Sequence, residues 1–251
     1  DPKLNTNIDD LKRFDPDAVF VCVPTPMNED GSVDSKILLS VLEEIKIKNF
    51  NCLIVLKSTI HPGIIKRIDN LIGEFVYNPE FLREKHAKSD FINSEFIVFG
   101  GKKEPSSLLA KIYSENTKCK NKNYIYTDAI SASLLKYAVN SFLATKVIFF
   151  NQFKELFDNS GAQEDWKKFI EYLKNDKRIG DSHMDVPGHD GRLGFGGACF
   201  PKDTEAIVKY ADEIGVNLEL IKKSINANNK IRAKYNTKTD REVDQNITFK
   251  K

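Results

Sequence analysis

Hydrophobic positions in the first half of the chain come in short β-rich runs, separated by longer polar or helix-periodic stretches. That alternation predicts parallel strands joined by helices. Residues 18–23 read as a buried strand. Ile37, Leu38, Val41, Leu42 and Ile45 then recur at helical spacing through residues 34–48, with Asp34 as the N-cap. Residues 52–56 form the next strand. His61, Pro62 and Gly63 break the chain before a helix over 64–72, and residues 75–77, 96–99 and 124–126 supply further strands.

The pattern changes after Thr127. Residues 128–159 contain neither Gly nor Pro, and Leu134, Leu135, Ala138, Val139, Phe142, Leu143, Val147 and Phe150 fit one long helix. A second helix covers 164–174, and the Gly-rich stretch 175–199 reads as an ordered or functional loop. Helices resume at Pro201 and run to about Arg232, with a break near Gly215. The expected organisation is an α/β domain over 1–127, an all-α domain over 128–233 and a loosely held polar tail over 234–251.

Composition narrows the class. With 251 residues, 41% hydrophobic and 29% charged, the chain can build one substantial core plus an attached second unit. Lys and Arg number 38 against 36 Asp and Glu, a net charge of +2 that argues against a nucleic-acid surface. The apolar stretch 142–150 is interrupted by Lys146 and falls short of the roughly 18–20 residues of a membrane span. The four cysteines lack metal-ligand spacing, which points to a reducing, cytoplasmic protein. Cys22 and Cys52, in predicted strands, read as small core residues, and Cys119, between Lys118 and Lys120, as an exposed thiol.

Candidate chemistry concentrates in residues 191–204, GRLGFGGACFPKDT. Gly194, Gly196 and Gly197 permit close backbone approach or positive φ, and Pro201 suits the first turn of a helix beginning directly behind Cys199. The helix dipole and Lys202 would favour a thiolate there. Local physics leaves two readings open: an activated thiol, or a glycine-rich loop with a small buried cysteine.

This segment resembles the active-site segment of the UDP-glucose and GDP-mannose dehydrogenases. Four further segments resemble the same family in the same order. They are Val23, Pro24, Thr25 and Pro26 with residues 30–34; Lys57, Ser58 and Thr59; Asn78 to Glu84, NPEFLRE; and the helix carrying Lys136, Tyr137, Ala138, Asn140 and residues 142–146. Taken singly each has a plain alternative. Thr25 and Thr59 suit strand-end turns, Glu80 and Glu84 suit a solvated face, and Lys136 suits a lysine reaching for solvent.

The resemblance implies a fold and a chemistry. The fold would be the remainder of a Rossmann-type parallel-sheet domain followed by an all-α central, dimerising domain. The cofactor would be NAD, the substrate a nucleotide sugar, and the assembly a homodimer of this helical domain. Cys199 would be the nucleophile, with Lys136, Asn140, Asp203, Glu80 and Thr59 as the other catalytic groups. Pro24, Thr25, Pro26, Ser58, Thr59, Glu84 and Lys202 would contact cofactor. Phe81, Leu82, Arg83, Glu84, Lys136, Asn140, Arg192, Phe195 and Gly196 would contact substrate. Oxidising a primary alcohol to an acid removes two hydrides, and a cysteine thiohemiacetal that becomes a thioester provides the second round.

The pattern also departs from the family. The Gly-x-Gly-x-x-Gly turn that opens a dinucleotide-binding domain is absent from the sequence, so about one strand–helix–strand unit is expected upstream of Asp1 and a third domain downstream. Ser94, Glu95 and Phe96 replace residues that usually precede a basic contact. Two nearby alternatives are oxidation of GDP-mannose and of UDP-N-acetylmannosamine. From other classes come a non-catalytic nucleotide-sugar-binding module and a cysteine acyl-transfer enzyme.

Overall fold

The computed structural model describes residues 4–83 and 86–249. By contacts the chain falls into two units, residues 1–25 with 33–136, and residues 26–32 with 137–251.

The first unit is a five-stranded sheet in the order β1-β2-β3-β4-β5: β1 (Ala18–Val21), β2 (Leu53–Leu56), β3 (Val76–Tyr77), β4 (Ile97–Gly100) and β5 (Tyr124–Thr127). Its two faces follow from the period-2 alternation of side chains along a strand. Ile54, Leu56, Tyr77 and Val98 join a core with Leu38, Leu42 and Ile45 of α1 (Lys36–Lys48) and Ile65 and Ile68 of α2 (Pro62–Ile72). Leu53, Val55, Val76, Ile97 and Phe99 join the opposite core with Leu109, Ala110 and Tyr113 of α4 (Lys103–Asn116). A short helix, α3 (Ala87–Ile92), lies between β3 and β4. β2 and β4 are covered on both faces, so they read as unbroken apolar runs, whereas the outer strands β1 and β5 are more open.

All five predicted strands are present, with one difference in direction. β3 and β4 pair antiparallel through Tyr77 and Gly100, while the other three pairings are parallel. A two-residue strand carries no directional signal in its sequence. Helix α1 is capped at Ser35 rather than Asp34, although the Asp34 carboxylate accepts a hydrogen bond from the Lys36 N–H at 2.9 Å. A 3-10 helix, Ile8–Arg13, opens the described chain behind an Asn7–Asp10 capping box. Two of the three cysteine expectations reverse, while Cys52 packs half-buried against the sheet core. Cys119 is buried beside α4, its thiol donating to the Asn121 carbonyl at 3.6 Å, whereas Cys22 is exposed where β1 ends.

The long helix is α5 (Ala129–Asn159), 31 residues. Asp128 caps it by accepting from the Ser131 N–H at 2.9 Å and hydroxyl at 2.6 Å, and these bonds hold its carboxyl below the usual range. In the second unit Phe150 of α5 packs with Trp166 and Ile170 of α6 (Trp166–Lys174) and with Met184 from the following loop. Ala144 and Ile148 pack with Phe195 and with Ala227 and Ile231 of α8 (Glu219–Arg232), which follows α7 (Phe200–Glu213). Among the described residues no helix is long and apolar enough to cross a membrane.

Residues beyond α8 are not loosely held as expected. They form α9 (Asp240–Asp244) behind a Thr239–Glu242 capping box, with Glu242 and Ile247 wholly buried. Polar composition predicts solvation only where the polar groups lack partners, and here Glu242 has them.

Candidate functional site

In the first unit the candidate residues collect at the carboxyl ends of β1, β2 and β3, the edge where open parallel sheets bind ligands. Each motif begins within two residues of a strand's end, because side chains leaving the pleat there are released from sheet pairing. Ser58 ties two motifs together, its hydroxyl donating to the Val23 carbonyl at 2.6 Å. Ser58 and Thr25 are buried, Thr59 is half-buried and Pro24 is exposed. Lys57 ties in the third motif, its Nζ donating to Asn78 Oδ1 at 3.1 Å, while Asn78 Nδ2 donates to the Val98 carbonyl at 2.9 Å.

Lys57 keeps some accessible surface, yet the atoms packed around its ammonium pull its pKa down to about 8. Burial is the main cause; Glu80 and Cys22 oppose it, and Lys136 adds to it. Lys136 itself is buried, donates from Nζ to the Glu80 carbonyl, and stands 5.4 Å over the Phe81 ring. It is therefore held by the NPEF segment rather than reaching for solvent. Phe81 and Leu82 are half-buried, and Arg83 forks onto Asp90 at 2.8 and 3.0 Å. Glu84 lies outside the described residues.

In the second unit Cys199 is the N-cap of α7, exposed, with Pro201 in the first turn. Four residues on, Asp203 is wholly buried, and both its carboxylate oxygens are taken: Lys202 Nζ donates to Oδ1 at 2.6 Å and Asn140 Nδ2 to Oδ2 at 2.6 Å. Lys202 thus acts as the counter-ion of Asp203, so its charge is spent on the carboxylate beside the thiol's helix. A buried ion pair of this kind gains little net stability, but it fixes orientation. Pro26 precedes the loop 27–32, in which Asp30 pairs with Lys209 of α7 at 3.3 Å.

The glycine loop ahead of Cys199 is clamped from three sides. The Gly194 N–H donates to Asn151 Oδ1 at 2.9 Å. Asn228 binds Phe195 in both directions, accepting from its N–H at 2.7 Å and donating to its carbonyl at 3.0 Å. Gly194 has φ +72°, and a Cβ there would come within 2.5 Å of Asn228 Oδ1, so the position excludes any larger residue. At Gly196 a Cβ would meet Arg232 Nη1 at 2.7 Å. The Phe195 ring lies in the helical core and both its backbone groups are taken by Asn228, so the expected substrate contact at Phe195 is instead a structural clamp. Arg192 donates to the Thr237 carbonyl at 2.7 Å and hydroxyl at 2.9 Å and sits 5.2 Å over the Tyr235 ring.

Sequence reasoning quoted Lys57 in a motif without giving it a role, and missed Asn151, Asn228, Arg232 and Glu242. Asn228 and Arg232 stand four apart on α8 and so share one face, a signal of the same kind that singled out Lys136 and Asn140. Glu242 is announced by the Thr-x-x-Glu capping signature at 239–242.

Comparison with known proteins agrees with both halves. Residues 3–117 match the model of the UDP-glucose/GDP-mannose dehydrogenase family NAD binding domain, and residues 130–230 match that family's central domain. A UDP-glucose 6-dehydrogenase of Rickettsia bellii is 36% identical over 220 residues, covering 84% of this chain and 49% of the relative. One from Bacillus subtilis is 33% identical over 227 residues, covering 86% and 49%. The solved structure of a UDP-glucose dehydrogenase from Pyrobaculum islandicum superposes with a TM-score of 0.73 at 31% identity, over 85% of this chain and 50% of that one. The chain spans about half the length of the curated relatives it matches. With two of the family's domains matched in order along one chain, this protein belongs to the UDP-glucose/GDP-mannose dehydrogenase family.

Proposed function

We propose that the protein of which this chain is part oxidises the sugar 6-hydroxyl of UDP-glucose to the carboxylate with NAD. The observation that carries the reading is the exposed Cys199 at the N-cap of α7, with the fixed Asp203 of the same helix held by Asn140 and Lys202. NAD, when bound, accepts hydride. Pro24, Thr25, Ser58 and Thr59, at the carboxyl edge of a parallel sheet, fit the nicotinamide side of such a cofactor, while the pyrophosphate turn is not in this sequence.

The chain's own residues then divide the work. Lys136 takes the hydroxyl proton in the first oxidation, while the buried Asp203 holds Asn140 and Lys202 in place. Cys199 adds as thiolate to the aldehyde, and the thiohemiacetal loses hydride to become a thioester. Lys136 and the Asn140 amide stabilise the oxyanion. Glu80 and Thr59 orient the water that hydrolyses the thioester, returning the thiolate and releasing the acid. Phe81, Leu82, Arg83, Arg192 and the backbone at Gly196 hold the nucleotide sugar.

We also propose a homodimer through α5. Phe142, Phe149 and Leu156 recur every seven residues and are 66%, 54% and 59% exposed, an apolar seam of the kind that pairs helices.

The test follows absorbance of reduced nicotinamide with UDP-glucose, for this chain and for a form extended upstream through a Gly-rich unit, each with a Cys199→Ala control. The reading requires turnover by the extended form and its loss on substitution. Oxidation of only an N-acetylated or GDP-linked sugar replaces UDP-glucose as substrate. Ligand binding without turnover in either form makes the protein a binding module.

A further inference from the structure

The stretch after α8 brings a carboxylate into the glycine loop. Arg232, the last residue of α8, is buried; its Nη1 pairs with Asp190 Oδ2 at 2.6 Å and its Nη2 donates to the Gly194 carbonyl at 3.0 Å. Its Nε is buried without a partner among the described residues. The Thr239 N–H donates to Glu242 Oε2 at 2.8 Å, which fixes the wholly buried Glu242 side chain. Glu242 then lies 3.8 Å from Arg232 Nη1 and 3.9 Å from Arg192 Nη1, and it accepts from the Gly197 N–H at 3.3 Å.

Two guanidiniums and a backbone N–H converging on one point are a donor set suited to phosphate. Glu242 satisfies that set only loosely, because both arginine contacts exceed hydrogen-bond length. We propose that Arg192, Arg232 and the Gly197 N–H form a binding site for a phosphate-bearing ligand, and that Glu242 is its built-in occupant, which must leave before the ligand enters. The proposal rests on the nucleotide-sugar reading of this loop and adds regulation to it: the segment 239–247 competes with the ligand's phosphates. Apparent affinity then falls by the fraction of molecules in which Glu242 is out.

Pyrophosphate and UDP are titrated calorimetrically into the 251-residue chain and into its Glu242→Gln and Glu242→Ala variants. Both variants should bind at least about tenfold tighter than the parent, the gain expected if the parent is mostly self-occupied. Adding Arg192→Met should remove that gain. Equal affinity in parent and variants overturns the proposal. A measurement on the parent alone guards against misfolded variants: saturating pyrophosphate should speed amide exchange over residues 239–247, and unchanged exchange there sinks the idea. The two readings separate cleanly. Tighter pyrophosphate without any UDP-glucose binding keeps the anion site and rejects the nucleotide sugar. UDP-glucose binding that is identical in parent and variants does the reverse.

Discussion

Asp203 has no water to turn to, and each of its oxygens depends on one partner. Asp203→Asn strands the buried Lys202 ammonium and should cost about 3–5 kcal/mol in urea unfolding. The double change Lys202→Met, Asp203→Leu should recover most of that loss while leaving no turnover, which separates the pair's part in stability from its part in chemistry. Lys57 makes a pH-dependent prediction. Its folded pKa, about 8, lies below the 10.5 of an unfolded lysine, so between those values the unfolded chain holds the extra proton and stability rises with pH. The rise should approach about 3 kcal/mol between pH 8 and 10.5 relative to Lys57→Met, measured as the difference between the two proteins' urea midpoints. Cys199 and Lys136 could be named from the sequence because motif and resemblance coincide there. Lys57 appears in a motif too, but its lowered pKa is not legible there, because it comes from burial.

At the scale of elements, helices with strong apolar periodicity were legible nearly to the residue, as α2, α5 and α8 show. The 3-10 helix at Ile8–Arg13 and the short α3 were not, since neither carries a buried residue to set a period. Helix α4 was passed over although Leu109, Ala110 and Tyr113 bury one face; Pro105 and three charged residues at its start mask the pattern. The β4–α5 junction offers a sharp packing test. A Cβ at Gly100 would lie 2.5 Å from the Ala132 Cβ and 3.0 Å from the Ala129 Cα, so Gly100→Ala should destabilise by about 1–3 kcal/mol through overpacking, read by thermal melts. The seam on α5 makes the opposite kind of prediction. Phe149→Lys should convert dimer to monomer in light scattering while leaving the helix content seen by circular dichroism unchanged, because that ring is already half open.

For the whole molecule, the balanced charge of +2 carries no information about fold, whereas alternation of strands and helices gave the α/β half directly. What stayed hidden was long-range: the polar stretch after α8 looks solvated in sequence and is buried in the structure. Ile247→Ala should therefore cost about 2–5 kcal/mol, as for a core residue, where a loose tail would lose nothing measurable. The same stretch reaches back along the chain, since the Met27 N–H donates to the Gln245 carbonyl at 3.0 Å and residues 26–32 belong by contacts to the second unit. During synthesis Gln245 leaves the ribosome long after Met27. The loop after β1 must then wait, incomplete, until the stretch beyond α8 has emerged, and no single cut can release the two units as separately finished pieces.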